Sequence, residues 1–321
     1  VCLPGYLLSF LTHKATKVYI ESFNTGASRR AITKAHIESF QIPLPPISVQ
    51  RAIVSVLSAY DDLIENNMRR IQLLERMAQA IYREWFVHFR FPGHEKVKLV
   101  ESPMGKVPKG WVATTLGEFV SDGGIELQTG PFGTQLKASH YTCEGTPVIN
   151  VRNIGFGGLK ADKLEFLPPD RAEEHKRHKL RKGDIVFGRK GAVERHLLVS
   201  SAEEGWIQGS DCIRLRVVSG PLTSVFLSIR FREDEHRRWM MNHCSGAATM
   251  ASLNQDILCR IPLIVPPQDT IVKFDELCAP ILRQAVLLSS RIGNLRRTRD
   301  LLLPKLISGA LDVSDMDTET S

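Results

Sequence analysis

The stretch Ile257-Leu258-Cys259-Arg260-Ile261-Pro262-Leu263-Ile264-Val265-Pro266-Pro267 is a second version, with one residue inserted, of Ile37-Glu38-Ser39-Phe40-Gln41-Ile42-Pro43-Leu44-Pro45-Pro46. From the Pro-Pro pair onward the two copies keep a constant offset of 221, which matches Arg70 to Arg291, Ile71 to Ile292, Leu74 to Leu295 and Ile81 to Leu302. Upstream, Leu8-Ser9 meets Leu227-Ser228, and Thr25-Gly26-Ala27 meets Ser245-Gly246-Ala247. Residues 1–90 therefore repeat roughly as 220–310, and 105–220 have no second copy. Solenoid units are ~20–50 residues long, so a period this large describes a duplicated domain-plus-helix unit instead.

Each Pro-Pro pair closes a short β-branched and Leu-rich run and opens a helical pattern. Proline is tolerated at a strand end and in the first helical turn, where its missing N–H costs little. The reading is strand, Pro-Pro, long helix, twice over. The first helix is predicted over 48–88. Leu57, Ile64, Ile71, Ala78 and Trp85 recur every seven residues, and Tyr60, Leu74 and Ile81 follow three behind, with Asn67 interrupting. The second is predicted over 269–308, with Ala285, Ile292 and Leu306 on one seam and Ile281, Leu288, Leu295 and Leu302 on the other, broken by Arg299. These are coiled-coil seams, and one polar interruption in each sets register at some cost in stability. The two helices are expected to pair with each other; the alternative is that each lies along its own globular domain.

The 321 residues suffice for about two domains. With 43% hydrophobic and 24% charged residues the composition is that of a globular chain, and no apolar run approaches the ~20 residues of a membrane helix. Six scattered cysteines without a CxxC pair read as reduced, cytoplasmic thiols, neither a disulfide frame nor a zinc site. The start lacks a basic n-region and a cleavage pattern, and its first residue is Val1, which suggests that the chain begins partway through a longer design. The net charge is +7, and the helical segments contribute none of it: the excess lies in 1–45 and 105–265. That balance suits a polyanionic partner.

Residues 105–265 read as α+β with a curled sheet. Strands are expected at Thr146–Val151, Asp184–Phe187, Leu197–Val199 and Cys212–Val218, and helices over 170–178 and 222–242. The fold class is α+β: one complete mixed α/β domain, two long antiparallel coiled-coil helices and a partial first domain. The segments are 1–46 (its remnant, with a last helix and a final strand), 47–90 (first long helix), 91–104 (linker), 105–267 (complete domain), 268–310 (second long helix) and 311–321 (flexible tail).

Three glycine-rich or amide-rich stretches carry binding chemistry. Leu127-Gln128-Thr129-Gly130-Pro131-Phe132-Gly133-Thr134-Gln135-Leu136-Lys137 combines glycines that permit close backbone approach with amides, hydroxyls, an aromatic ring and a lysine. Gly188-Arg189-Lys190-Gly191-Ala192-Val193-Glu194-Arg195-His196 gathers cations in a tight turn, and Asn150, Arg152 and Asn153 end a strand. Such groups suit phosphates and base edges; ordinary surface turns would have the same composition.

Catalytic sets fail to assemble. Gly105-Lys106 lacks P-loop spacing, and there is no GxGxxG after a strand, no Asn-Pro-Pro-aromatic stretch and no Gly-x-Ser-x-Gly. Pro169-Asp170 with Glu174 and Lys176 superficially matches a metal-dependent nuclease motif, but only three residues separate the carboxylates, which fits one exposed helical turn.

In this order the elements resemble the specificity (S) subunit of a Type I restriction–modification enzyme. The resemblance rests on the two Pro-Pro segments leading into long helices, on Pro108-Lys109-Gly110-Trp111, on Gly130-Pro131-Phe132-Gly133, and on Gly183-Asp184-Ile185-Val186 with Gly188-Arg189-Lys190-Gly191. It implies two target-recognition domains, each reading half of a split DNA target, spaced by two antiparallel helices. It implies a non-catalytic scaffold for modification (methyltransferase) and restriction (translocase–nuclease) subunits. No cofactor would be bound directly; S-adenosylmethionine, ATP and magnesium would enter through the other subunits. Residues 1–45 depart from the pattern as a mere stub, expected of a fragment or of a half-type subunit that restores its second half-site as a homodimer. The expected DNA-binding set is Gln128, Thr129, Gly130, Phe132, Lys137, Arg152, Asn153, Arg189, Lys190, Arg195 and Gln255. In it Lys137, Arg189, Lys190 and Arg195 meet phosphates, and Gln128, Asn153 and Gln255 read bases. Arg69, Arg70, Arg76, Arg83, Arg283, Arg296 and Arg297 offer an outer helix face to partner subunits. The competing readings are a metal-dependent DNA nuclease and a coiled-coil adaptor with no DNA role.

Overall fold

The computed structural model describes residues 1–23, 32–161, 163–244 and 251–313. The matched triplets at 25–27 and 245–247 and the end of the expected tail lie outside them. Helices α1 (Pro4–Thr12), α2 (Lys14–Ser22), α3 (Lys34–Glu38) and α4 (Ile47–Tyr82) are followed by α5 (Leu116–Ser121), α6 (Pro169–Glu174), α7 (Ser224–Arg230), α8 (Asp234–Cys244), α9 (Gln255–Cys259) and α10 (Gln268–Ile307). The strands are β1 (Leu99–Ser102), β2 (Gly105–Pro108), β3 (Val112–Thr115), β4 (Ile125–Thr129), β5 (Thr146–Ile149), β6 (Phe156–Gly157), β7 (Glu165–Leu167), β8 (Ile185–Gly188), β9 (His196–Leu198), β10 (Ile207–Gln208), β11 (Cys212–Val217) and β12 (Pro262–Val265).

The repeat is structural as well as sequential. At offset 221, α3 superposes in number on α9 and the start of α4 on the start of α10; α2 precedes α8 by 220. Each short helix has the same type of N-cap: the Thr33 hydroxyl accepts from the His36 N–H, and the Asn254 side chain accepts from the Ile257 N–H. Such caps satisfy N–H groups that have no partner inside a helix.

Val1–Leu73 with Leu287–Ser321 forms one compact unit and Leu74–Val286 the other, so the division falls inside both long helices. In the first unit Tyr6, Ala52, Ile53, Leu57, Leu303, Leu306 and Val313 make the core. The Tyr6 hydroxyl donates to the Pro43 carbonyl at 2.7 Å, and Gln50 is clamped to the Leu3 N–H and the Pro45 carbonyl. The helices here are antiparallel: Asp61 meets Arg299, and Met68 meets Arg296. Ile64, Ile292 and Leu306 are buried on the seam, and Arg299 fills its polar position by ion-pairing across it. One expectation fails. The run before Pro45-Pro46 carries no strand. In the second copy β12 is a strand because it pairs antiparallel with β3, Leu263 opposite Thr114; among the described residues no strand lies beside 42–45, and a ladder needs both sides.

In the second unit, α4 ends in a π-helical turn, Arg83–Val87. Tyr82, Trp85 and Phe86 pack there against Phe226 and Phe274, with Phe86 4.9 Å from Phe274 ring to ring. A five-stranded sheet has the order β4-β11-β8-β9-β6, and a smaller one β10-β5-β7. The expected linker ends in the first strand of a hairpin, β1, whose partner β2 lies just beyond it. The expected helix over 222–242 is two helices, because Arg232 and Glu233 leave the helical path to meet Glu75 and Arg83.

Candidate nucleic-acid interface

The registers of the five-stranded sheet bring separate loops to one end. Thr129 lies opposite Ile213, Gly188 opposite Cys212 and Phe187 opposite His196. β4 and β8 therefore finish where β11 and β9 begin. Segments 130–137, 189–195 and 209–211 leave the sheet together. Their backbones interlock: the Gly130 N–H donates to the Cys212 carbonyl at 2.9 Å, and the Arg189 N–H to the Asp211 carbonyl at 2.8 Å. Gly130 is obligatory, since a Cβ there would lie 2.0 Å from the Gly209 carbonyl oxygen. Its close approach thus serves the chain's own backbone. The Gly209 N–H donates to the Ile149 carbonyl, which draws in the 150–153 turn. The Leu253 N–H donates to the Arg189 carbonyl at 2.8 Å and brings the start of α9 to the same place.

Thr129 and Gln255 meet here, Gln255 Nε2 donating to Thr129 Oγ1 at 3.0 Å, while Gln128, the preceding residue of β4, points to the other face of the sheet. Phe132 is 72% exposed and Lys137 is exposed in the loop beyond. Lys190 is exposed with Nζ 3.3 Å from Asp211, whereas Arg189 is half-buried. Arg152 pairs with Glu165, and Arg195 lies over the Phe156 ring. Asn153 departs from expectation. It is fully buried; its Oδ1 accepts from the Asn150 N–H and its Nδ2 donates to the Lys160 carbonyl, so its amide builds the turn and is not presented to a base.

The structure adds Ser210 and Asp211 to this sheet end and places Phe156 and Arg237 together at its β6 edge. The signal for the first two was a Gly-Ser-Asp turn directly before the expected strand at 212. Phe156 and Arg237 are brought together only by the tertiary fold.

Beneath the loops the sheet is held by ion pairs. Arg216 binds Asp184 through two bonds of 2.7 Å, which raises the guanidinium pKa further. Arg214, 1% exposed, donates to Glu126 at 2.7 Å, and burial lowers its pKa. The Cys212 thiol is pushed up to about 12 by burial and stays protonated. His196 is held neutral by burial, with Nε2 2.9 Å from the Ser228 hydroxyl. Asp170 and Glu174 lie on one short helix, where Glu174 pairs with Arg171. Among the described residues no group of three or more His, Cys, Asp or Glu side chains is placed to hold a metal ion, and no helix is long and apolar enough to cross a membrane. The sheet end offers cations, amides, hydroxyls and an exposed ring, which is binding chemistry.

The outer-face arginines at 69, 70, 76, 83, 283, 296 and 297 are all exposed. Arg69 is tied to Glu65 and Arg83 to Glu233.

Residues 4–76 match the family described as the Type I restriction modification DNA specificity domain. The chain is 22% identical over 316 residues to the Type I restriction enzyme MjaIX specificity subunit of Methanocaldococcus jannaschii, covering 97% of this chain and 70% of that one. It is 28% identical over 205 residues to the MjaVIII specificity subunit of the same organism, covering 64% of this chain and 45% of that one. The fold resembles the crystal structure of the S subunit from M. genitalium, with a TM-score of 0.56 at 17% identity, over 94% of this chain and 72% of that chain. The chain is thus similar along nearly its whole length to specificity subunits of Type I restriction enzymes, carries the specificity-domain match over residues 4–76, and shares its fold with an S subunit of such a system.

Proposed function

We propose that residues 105–267 bind duplex DNA with the loop end of the five-stranded sheet and read one half of a split target, while the paired helices carry modification subunits. The observation that supports this most is the meeting of the 130–137, 189–195 and 209–211 loops with Gln255 at one sheet end. Lys137, Arg189, Lys190 and Arg195 neutralise phosphates, with Arg152 beside them; Gln255, steadied by Thr129, faces a base edge, and Gln128 reads from the other face of β4; Phe132 contacts bases or sugars from the loop tip. Amides bond bidentately to adenine in the major groove. Methyl transfer and cleavage, with S-adenosylmethionine, ATP and magnesium, belong to the other subunits.

The experiment is DNA binding by the full chain across a salt series. Each phosphate contact contributes about 0.9 to the slope of log affinity against log salt. Lys190→Ala with Lys137→Ala is expected to flatten the slope on every duplex. An unchanged slope contradicts this placement. Ile64→Asp, a charge on the buried seam, is expected to abolish co-purification with the modification subunit; retained assembly contradicts the scaffold role.

A further inference from the structure

At the β6 edge of the sheet two guanidinium groups share one aromatic ring. The Arg195 guanidinium carbon lies 5.1 Å from the centroid of Phe156, and that of Arg237 lies 4.8 Å from it. Phe156 is 40% exposed, and the two arginine side chains are 34% and 43% exposed. The nearest carboxylates hold them loosely: Glu194 is 3.8 Å from Arg195 Nε, and Asp234 is 3.5 Å from Arg237 Nη1. Neither Arg195 Nε nor Arg237 Nε makes a hydrogen bond. The fold crowds a third cation behind them: Gly157, at φ +84°, leaves room for the Arg232 guanidinium, and a Cβ there would lie 2.0 Å from Arg232 Nη2. Arg232 is neutralised by Glu75 at 3.2 Å.

A ring quadrupole attracts each cation by about 0.5–1 kcal/mol at an exposed site, less than is needed to make two like charges on one ring a stable resting pair. An anion of phosphate geometry, accepting from both planar forks, supplies the missing counter-charge. The position suits such a ligand. Phe156 is opposite His196 in register, so the ring and Arg195 stand at the same sheet end as the loops above. They are at the β6 edge, four strand spacings from Thr129 at the β4 edge. At ~4.8 Å per spacing this is about 19 Å. The major groove is ~12 Å wide, so an edge reading bases within the groove leaves the other edge over the backbone that borders it.

We propose that Phe156, Arg195 and Arg237 form a phosphate clamp, a positioning device that fixes the register of the DNA backbone while the β4 edge reads. Arg237 and Phe156 thereby join the interface from a helix and a strand outside the glycine-rich loops. The proposal rests on the DNA-binding reading given above.

The test uses the full chain, a duplex enriched by it from a random library, and a scrambled duplex of equal length, with affinity measured by anisotropy across a salt series. Arg195→Gln with Arg237→Gln is expected to lower the salt slope by about 0.9, the share of the one phosphate the clamp holds, and to weaken both duplexes by the same factor. Arg195→Lys with Arg237→Lys, which keeps charge but loses the planar fork, is expected to keep the slope and weaken both duplexes. If the glutamine variant does not fold, the lysine variant decides, and unchanged affinity overturns the clamp. Wild-type binding with an unchanged slope in the glutamine variant removes the clamp alone. Failure of the wild type to bind either duplex removes the DNA-binding reading and the clamp with it.

Discussion

Gln255 Nε2 donates to Thr129 Oγ1 across 3.0 Å, joining the first residue of α9 to the last residue of β4, 126 positions earlier in the chain. The two side chains act as one group. Gln255→Ala and Thr129→Val are each expected to relax preference at the same base pair, by about 1–3 kcal/mol, with the salt slope unchanged. The double variant is expected to lose no more than the worse single variant, because contacting residues are non-additive. Selection from a random duplex library, followed by anisotropy on single-substitution duplexes, measures all three.

Much of this arrangement was legible in sequence and the rest was not, for physical reasons. The long helices announced themselves through heptads from Leu57 to Trp85 and from Ile281 to Leu306, a local pattern that packing preserves. The Pro-Pro pairs marked both helix starts. The run before Pro45-Pro46 reads as a strand by the same local logic, yet a strand is a property of two segments, and of the two copies only Pro262–Val265 has its partner among the described residues. The break between α7 and α8 was hidden because Arg232 and Glu233 answer to Glu75 and Arg83, about 150 residues away. Within the site, glycine-rich loops flagged cations and amides by type. They could not tell an amide that faces outward from Asn153, whose amide is spent on its own turn.

Asn153→Ala is accordingly expected to act on stability. It leaves the Asn150 N–H and the Lys160 carbonyl without their partner, at a cost of about 1–3 kcal/mol. Thermal unfolding should shift down by a few degrees while the ranking of duplexes stays the same. A changed ranking at unchanged stability would return Asn153 to the reading surface.

Arg299 breaks the apolar seam and ion-pairs with Asp61 on the facing helix. The pair is partly exposed, so its strength is about 0.2–1 kcal/mol. Arg299→Glu is expected to destabilise the chain modestly, and adding Asp61→Arg to restore it. Denaturant titration of the two variants measures the coupling.

Asp275 in α10 accepts a hydrogen bond from the Thr223 hydroxyl at 3.0 Å, yet burial pushes its carboxyl up to about 6. The folded chain therefore holds this proton more tightly than the unfolded chain, whose carboxyl has a pKa near ~3.9. Its contribution to stability is fully present below that value and is lost as pH rises through about 6. Asp275→Asn, which removes the ionisation, is expected to raise the thermal midpoint at pH 8 and to leave it unchanged at pH 4. A scan of midpoint against pH for both proteins checks this.

Sequence discrimination by the loop end of the sheet is measured most directly by competition of an enriched duplex against its scrambled counterpart for the full chain, repeated with Gln255→Ala. A clear preference that falls by about 1–3 kcal/mol in the variant, with scrambled-duplex affinity retained, is the expected result. Equal binding of both duplexes by the wild type would contradict the account.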